Sequence, residues 1–529
     1  MADFRKSEFR SKTDFQWAEF RGERAVFDHA RFRGEVAFVW ARFTASADFV
    51  EAEFSRWASF RAAKLLDWSS FLEARFGGET SFEGTEFGIM TTFSKAKFGK
   101  ERTTFEGATV GGQDISFEGA LFDGEVSFQN AKFKAAAFIE AAFNEETSFE
   151  GAKFGWTSFR KAKFGEKRTG FGNAKLGGDA IFQGACFGGE TDFHDSILRD
   201  ATFESATFQR GAIFTKARFT GTGERTTDFR RATFGGEVYF KEAMFRGEDG
   251  SNGYVDFYRT NFLDAAKFVG GVRRGGTDSN PVFHPDVQVS FTRARIDKPE
   301  LFSFDTVDLR PSWLVGVDAR KFDFTAVKWY GLRKVPGGSF DDEVRRVQQK
   351  EHMEEENVKE ETTEEDETED IEESSLAYVR LAQACQRLAA NAEENRDYPT
   401  ANEFHCWSME AQRKDRFHGF VPWRLSWWYW LLSGYSERPL RALCLLGVIY
   451  LGFALLYMQL PLLPEASSDS SFWTGFGRAT LYSFGVITRQ KVSPEPEVGW
   501  TQFFVLLEGI LGPLQFGLMA LALRRIFMR

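Results

Sequence analysis

Through the first three hundred residues a large apolar side chain returns after six residues and then after five, with polar residues filling the intervals: Phe32, Phe38, Phe43, Phe49, Phe54, Phe60. Neither step is that of an amphipathic helix, which repeats at three and four, or of a half-buried strand, which alternates. A small residue stands two positions before most of these rings, as Val36 does before Phe38, Ala41 before Phe43 and Ala47 before Phe49. Residues two apart on an extended segment point the same way, so each short strand turns one Phe and one small residue inward and its polar neighbours outward. Gly-Glu pairs such as Gly34-Glu35, Gly78-Glu79 and Gly124-Glu125 fall in the six-residue steps. There a corner must absorb the extra residue, and glycine suits it. With Leu65, Val110, Leu176 and Leu198 as substitutes, the pattern runs to about Phe304 and predicts a stack of coils.

A small residue followed two positions later by Phe or Leu, with polar residues elsewhere, resembles the pentapeptide-repeat family over residues 4–304. The resemblance implies an all-β, right-handed quadrilateral β-helix with one repeat per side. Two eleven-residue units then make a coil of about 22 residues, and about thirteen coils at ~4.8 Å spacing extend roughly 60 Å. Phe32, Phe38, Phe43 and Ala41 become core positions, each buried ring contributing on the order of 1.5–3 kcal/mol. Residues 305–340 are expected to cap the last coil.

Beyond the array the composition changes. Residues 341–375 carry 17 acids against 4 bases, the composition of an extended, disordered acidic linker. Residues 376–417 have helical periodicity, with Leu381, Cys385, Leu388 and Ala392 on one face and Pro399 in the first turn of a second helix. The pair resembles one tetratricopeptide-type helical hairpin. Residues 418–440 include Trp423, Trp427, Trp428 and Trp430, suited to anchor an amphipathic helix in a membrane interface.

Residues 441–529 contain two long apolar runs. Ala442 to Leu463 is uncharged, and Phe503 to Leu523 is broken only by Glu508 and Gln515; each is long enough to cross a ~30 Å hydrocarbon core. Arg438 and Arg441 before the first run and Arg524, Arg525 and Arg529 after the second predict a two-pass protein with both termini cytoplasmic. Between them, residues 471–490, "SFWTGFGRATLYSFGVITRQ", are too short for a third span and suit a re-entrant segment.

Span, re-entrant segment and span resemble the pore module of two-transmembrane potassium channels. That implies a homo-oligomer, a tetramer, in the plasma membrane of a prokaryote. Thr488 and Arg489 stand at the filter position, where the Gly-containing strand that supplies a ring of carbonyls is missing. The other pore or membrane candidates are Glu508, an acid of the kind that faces a cavity or partner, with Gln515, Gly509 and Gly512; the glycines suit close helix packing.

No HExxH, GxSxG or GKS/T motif is present, and Cys186, Cys385, Cys406 and Cys444 lack CxxC spacing. No metal, cofactor or enzymatic activity is therefore expected. The N-terminus lacks the apolar core of a signal peptide. Some pentapeptide-repeat proteins inhibit gyrase by mimicking DNA, yet residues 1–300 hold 42 bases and 44 acids, without the acidic field that mimicry requires. No nucleic-acid partner is expected. Two readings remain: a membrane-anchored, channel-like protein whose cytoplasmic β-helix senses or binds a protein partner, and a non-conducting scaffold tethered to the membrane.

Overall fold

The structure, a computed structural model, describes residues 1–112, 114–221, 227–248, 253–272, 279–280, 282–330, 340–359, 370–415, 425–433, 435, 439–460, 472–490, 493 and 499–527. The chain divides into two units, Met1–Thr363 and Glu364–Arg529.

The first unit is a parallel β-solenoid. Most turns carry four short strands, and strands pair with their equivalents one turn later: Arg31-Phe32 with Glu53-Phe54, and Val36-Ala37 with Ala58-Ser59. One ladder holds 14 strands, so the array has about one turn more than the spacing predicts. Two-residue strands are too short to persist alone and depend on the rings stacked inside. Phe32 lies 4.7 Å from Phe9 and 4.9 Å from Phe54, centroid to centroid, with the planes nearly parallel. Adjacent ladders meet edge-on, as Phe32 and Phe38 do at 6.2 Å and 82°. Stacking along the axis and edge contact across it both suit the ring quadrupole. Phe32, Phe38, Phe43 and Ala41 are buried. The exceptions Leu65, Val110, Leu176 and Leu198 all fall in a single ladder, in register with Phe43, Phe87, Phe154 and Phe219 respectively.

The corners invert the expectation for glycine. Left-handed backbone falls in the five-residue steps except at Gly211, and mostly on residues other than glycine: Trp40 has φ 59° and Glu51 φ 53°. Each sits in a tight turn, closed for Trp40 by Ala41 N–H donating to the Phe38 carbonyl at 3.0 Å. In the six-residue steps glycine serves clearance, because a Cβ on Gly34 would lie 2.4 Å from the Ser11 carbonyl one turn below.

Nor does the array close at residue 304. Strand Asp323–Thr325 pairs with Phe302–Asp305, and Phe324 stacks on Phe304 at 5.7 Å and 8°. The rhythm disappears because 3-10 turns, Pro311–Leu314 and Ala319–Lys321, stand where strands would be. Residues 305–330 thus add a coil to the solenoid, filled by the buried Trp313.

Helix α1, Phe340–Lys359, follows. Its Val344 and Val347 are buried, and Arg310 Nη1 donates to Glu343 Oε1 at 2.8 Å while Ser312 Oγ donates to Glu343 Oε2 at 2.5 Å. The expectation of an extended linker is corrected for residues 341–359, where burial of one face outweighs the acidic composition. Residues 360–369 lie outside the described residues.

The second unit is helical. Helices α2 (Asp370–Glu394) and α3 (Tyr398–Asp415) pack together, burying Leu381, Cys385, Leu388 and Ala392 against Ala401 and Phe404. Arg396, at φ 60°, turns the chain between them. Then come α4 (Leu425–Ser433), α5 (Pro439–Gln459), α6 (Phe472–Ile487) and α7 (Gly499–Phe527). Within α5 and α7, segments Leu440–Gln459 and Gly499–Arg524 are long and apolar enough to cross a membrane.

Candidate functional site

Helices α5, α6 and α7 meet around Ala454, Tyr457, Ala479, Tyr482 and Val486, with Phe504 and Val505 of α7 packed against them. Into this apolar cluster α7 inserts Glu508, which is fully buried. Tyr457 Oη donates to Glu508 Oε2 at 2.6 Å, and Ser483 Oγ donates to Oε1. A carboxyl in so apolar a setting is tolerable only when hydrogen-bonded, and here one helix supplies each donor. Ser483 Oγ also lies 3.1 Å from the Tyr450 carbonyl. The acid therefore joins α5, α6 and α7 at one point, with both oxygens engaged.

Gln515, two turns further along α7, makes the second polar connection. Its Nε2 donates to the Leu432 carbonyl of α4 at 2.8 Å and to the Ala442 carbonyl of α5 at 2.9 Å. The glycines between allow contact: a Cβ on Gly512 would lie 2.7 Å from Ile487 Cγ1, and one on Gly509 would be 3.9 Å from Val486 Cγ1. The C-terminal end of α6 thus lies against the glycine face of α7.

Thr488 and Arg489 end α6. Thr488 Oγ1 donates to the Phe484 carbonyl at 2.7 Å. Arg489 takes φ 56°, its N–H reaching the Val486 carbonyl at 3.1 Å while that of Gln490 reaches Gly485 at 2.9 Å. This pair of bonds is the Schellman stop that glycine usually supplies. At the filter position of the potassium-channel resemblance there is a helix cap, not an extended strand of carbonyls.

The aromatic cluster divides. Trp428 is exposed, whereas Trp430 lies between two guanidiniums, Arg413 of α3 and Arg441 of α5, each 4.8 Å from the ring centroid. Glu410 of α3 pairs with Arg413 at 2.5 Å and accepts from Tyr435 Oη at 3.3 Å. Its hydrogen bond holds the Arg413 guanidinium above its ordinary value. Trp423 and the side chain of Trp427 lie outside the described residues. His405 pairs with Glu393 at 2.9 Å.

Sequence reasoning finds Glu508 and misses its partners, since Tyr457 is 51 residues away and Ser483 25. It also passes over Arg478, an exposed base on α6 one turn before the exposed Leu481. A lone base in so apolar a stretch is the signal that would have singled it out. By comparison with known proteins, no family model matches the chain, and no curated protein matches it.

Proposed function

We propose that the chain is a two-pass, channel-like membrane protein that assembles as a homo-oligomer. In this reading α5 and α7 are the spans and α6 is a re-entrant helix between them. The solenoid is a right-handed, four-sided pentapeptide-repeat β-helix on the cytoplasmic side, serving as a sensing or interaction domain. One observation carries the reading: α6, 16 residues and so about 24 Å long, is seated against both long apolar helices through Ser483, Val486 and Ile487. A short apolar helix bound to two spans is the arrangement of a pore module. Its outer side still exposes Trp473, Leu481 and Phe484, a surface that a second subunit would cover.

A non-conducting tethered scaffold is the second reading. What favours it is that both Glu508 oxygens and the Gln515 amide nitrogen are engaged in contacts within one chain. Liposome-flux and planar-bilayer recordings on purified protein, with its oligomeric state measured in detergent, separate the two. An oligomer that passes ions is expected; a monomer silent under every voltage would leave the scaffold.

A further inference from the structure

Charge on the outside of the solenoid is often paired between turns. In the ladder that begins at Glu19, Arg42 lies 3.9 Å from Glu19 and Lys64 lies 2.7 Å from Glu86. In the ladder that begins at Glu8, Arg31 lies 3.4 Å from Glu53. Further along the first of these, Lys132, Lys153 and Lys175 occupy three successive turns in register, preceded by Thr109 and followed by Ile197. All three are exposed, as is Lys134 on the first of these strands. No carboxylate among the described residues lies within 4.0 Å of any of them, although ion pairs within that distance recur elsewhere on the solenoid. Like charges directly opposite one another on neighbouring strands repel, so the column is a local cost to the fold.

The same turns differ in backbone. Where the preceding turns break this side into separate strands of two or three residues, here single strands run through, Lys132–Ala137, Lys153–Ser158 and Lys175–Ile181, and the next turn continues them with Ile197–Thr202. The middle one exposes Trp156, opposite the small Ala135 of the strand below.

We propose that Lys132, Lys153 and Lys175, with Lys134 and Trp156, form a docking surface for anionic lipid headgroups. Three features select that partner over an acidic protein or a nucleic acid. The bases are all lysines, mobile point charges suited to a diffuse anionic layer, without the arginine forks that read a fixed carboxylate or phosphate geometry. An indole stands among them, and Trp favours the boundary between headgroups and hydrocarbon. Closely spaced lysines near an anionic leaflet each add attraction, which falls off within a Debye length. The proposal rests on the membrane reading above only for the lipid's proximity; the column and its lack of partners are independent of it.

The test uses the full chain in nanodiscs of phosphatidylglycerol and phosphatidylcholine or of phosphatidylcholine alone. Amine acylation is read by mass spectrometry at Lys132, Lys153 and Lys175, with the ion-paired Lys64 as internal control. In the anionic discs the three lysines are expected to label about threefold less than in neutral discs, with the difference abolished by high salt. Lys153→Gln should weaken protection of Lys132 and Lys175. Equal labelling in both lipids, or protection given only by added polyglutamate, overturns the proposal. Co-purification with the discs tests the membrane reading separately; chain that does not enter them is mixed with vesicles of the same two compositions, where the same contrast is expected.

Discussion

Arg310 and Glu343, 33 residues apart, meet at 2.8 Å with both side chains out of solvent. The pair ties the last coil of the solenoid to the first turn of α1, and the Arg310 guanidinium also covers the Tyr330 ring at 4.8 Å. Removing one partner leaves the other charge buried without this ion pair, so Glu343→Ala or Arg310→Ala should cost about 3–5 kcal/mol. Replacing both with apolar residues should recover much of that loss. Hydrogen exchange checks the placement: in the single variants, amides of residues 340–359 lose protection while those of the first turns keep theirs.

Asp256 gives the same end of the solenoid a pH dependence. It pairs in register with Asp228 on the adjacent strand. Burial, helped by the Asp228 charge, pushes its carboxyl up to about 7, against the opposing pull of the Tyr258 N–H, Arg230 and Lys350. The folded-state value lies above the ordinary 3.8, so the folded protein holds a proton that the unfolded chain has released. That contribution is complete below the unfolded value and is lost as pH rises toward 7, by a few kcal/mol. Asp256→Asn should remove it. Thermal unfolding at pH 5 and pH 8 is expected to show the variant gaining on wild type at the higher pH; a constant difference would contradict the assignment.

The ladder is legible in the chain because every turn repeats the same demand. A residue facing the axis must match the one a turn below, so Phe32, Phe38 and Phe43 announce themselves without a partner in view. Where a coil is built otherwise, as with the 3-10 turns that carry Trp313, the rhythm vanishes although the coil persists. Glycine misleads for a different reason: Gly34 is needed for clearance and Trp40 takes the left-handed turn, a distinction that depends on a neighbour a full turn away. In α1 the acidic count hides Val344 and Val347. At the candidate site an acid in an apolar run is conspicuous, but the hydroxyls that receive it belong to other helices.

Two glycines six residues apart test the clearance argument. A Cβ on Gly78 would lie 2.5 Å from the Arg56 carbonyl carbon, and backbone cannot yield there without parting the turns. Gly84 has φ 61° with nothing within 4 Å, at the corner where Ala62 below it adopts φ 53°. Gly78→Ala should therefore destabilise by about 2 kcal/mol or more, and Gly84→Asn by under about 1 kcal/mol. Chemical denaturation of the two variants decides it, and the reverse order would refute the close-approach account.

Glu508 distinguishes a fastening from a pore-lining group. Glu508→Leu leaves the Tyr457 hydroxyl buried without its acceptor, a cost of about 1–3 kcal/mol, while Ser483 Oγ keeps the Tyr450 carbonyl. Adding Tyr457→Phe removes the stranded donor and should restore most of the stability, because replacing both partners with apolar groups can be nearly neutral. Glu508→Gln keeps one carbonyl oxygen and gains a donor that either hydroxyl can accept, so it should be the mildest of the series, at about 1 kcal/mol. Thermal unfolding in detergent ranks the three. With both carboxylate oxygens turned into the contact among α5, α6 and α7, any ion selectivity measured for wild type should be unchanged in Glu508→Gln. A shifted reversal potential in a variant that unfolds like wild type would place the carboxylate on the permeation path instead.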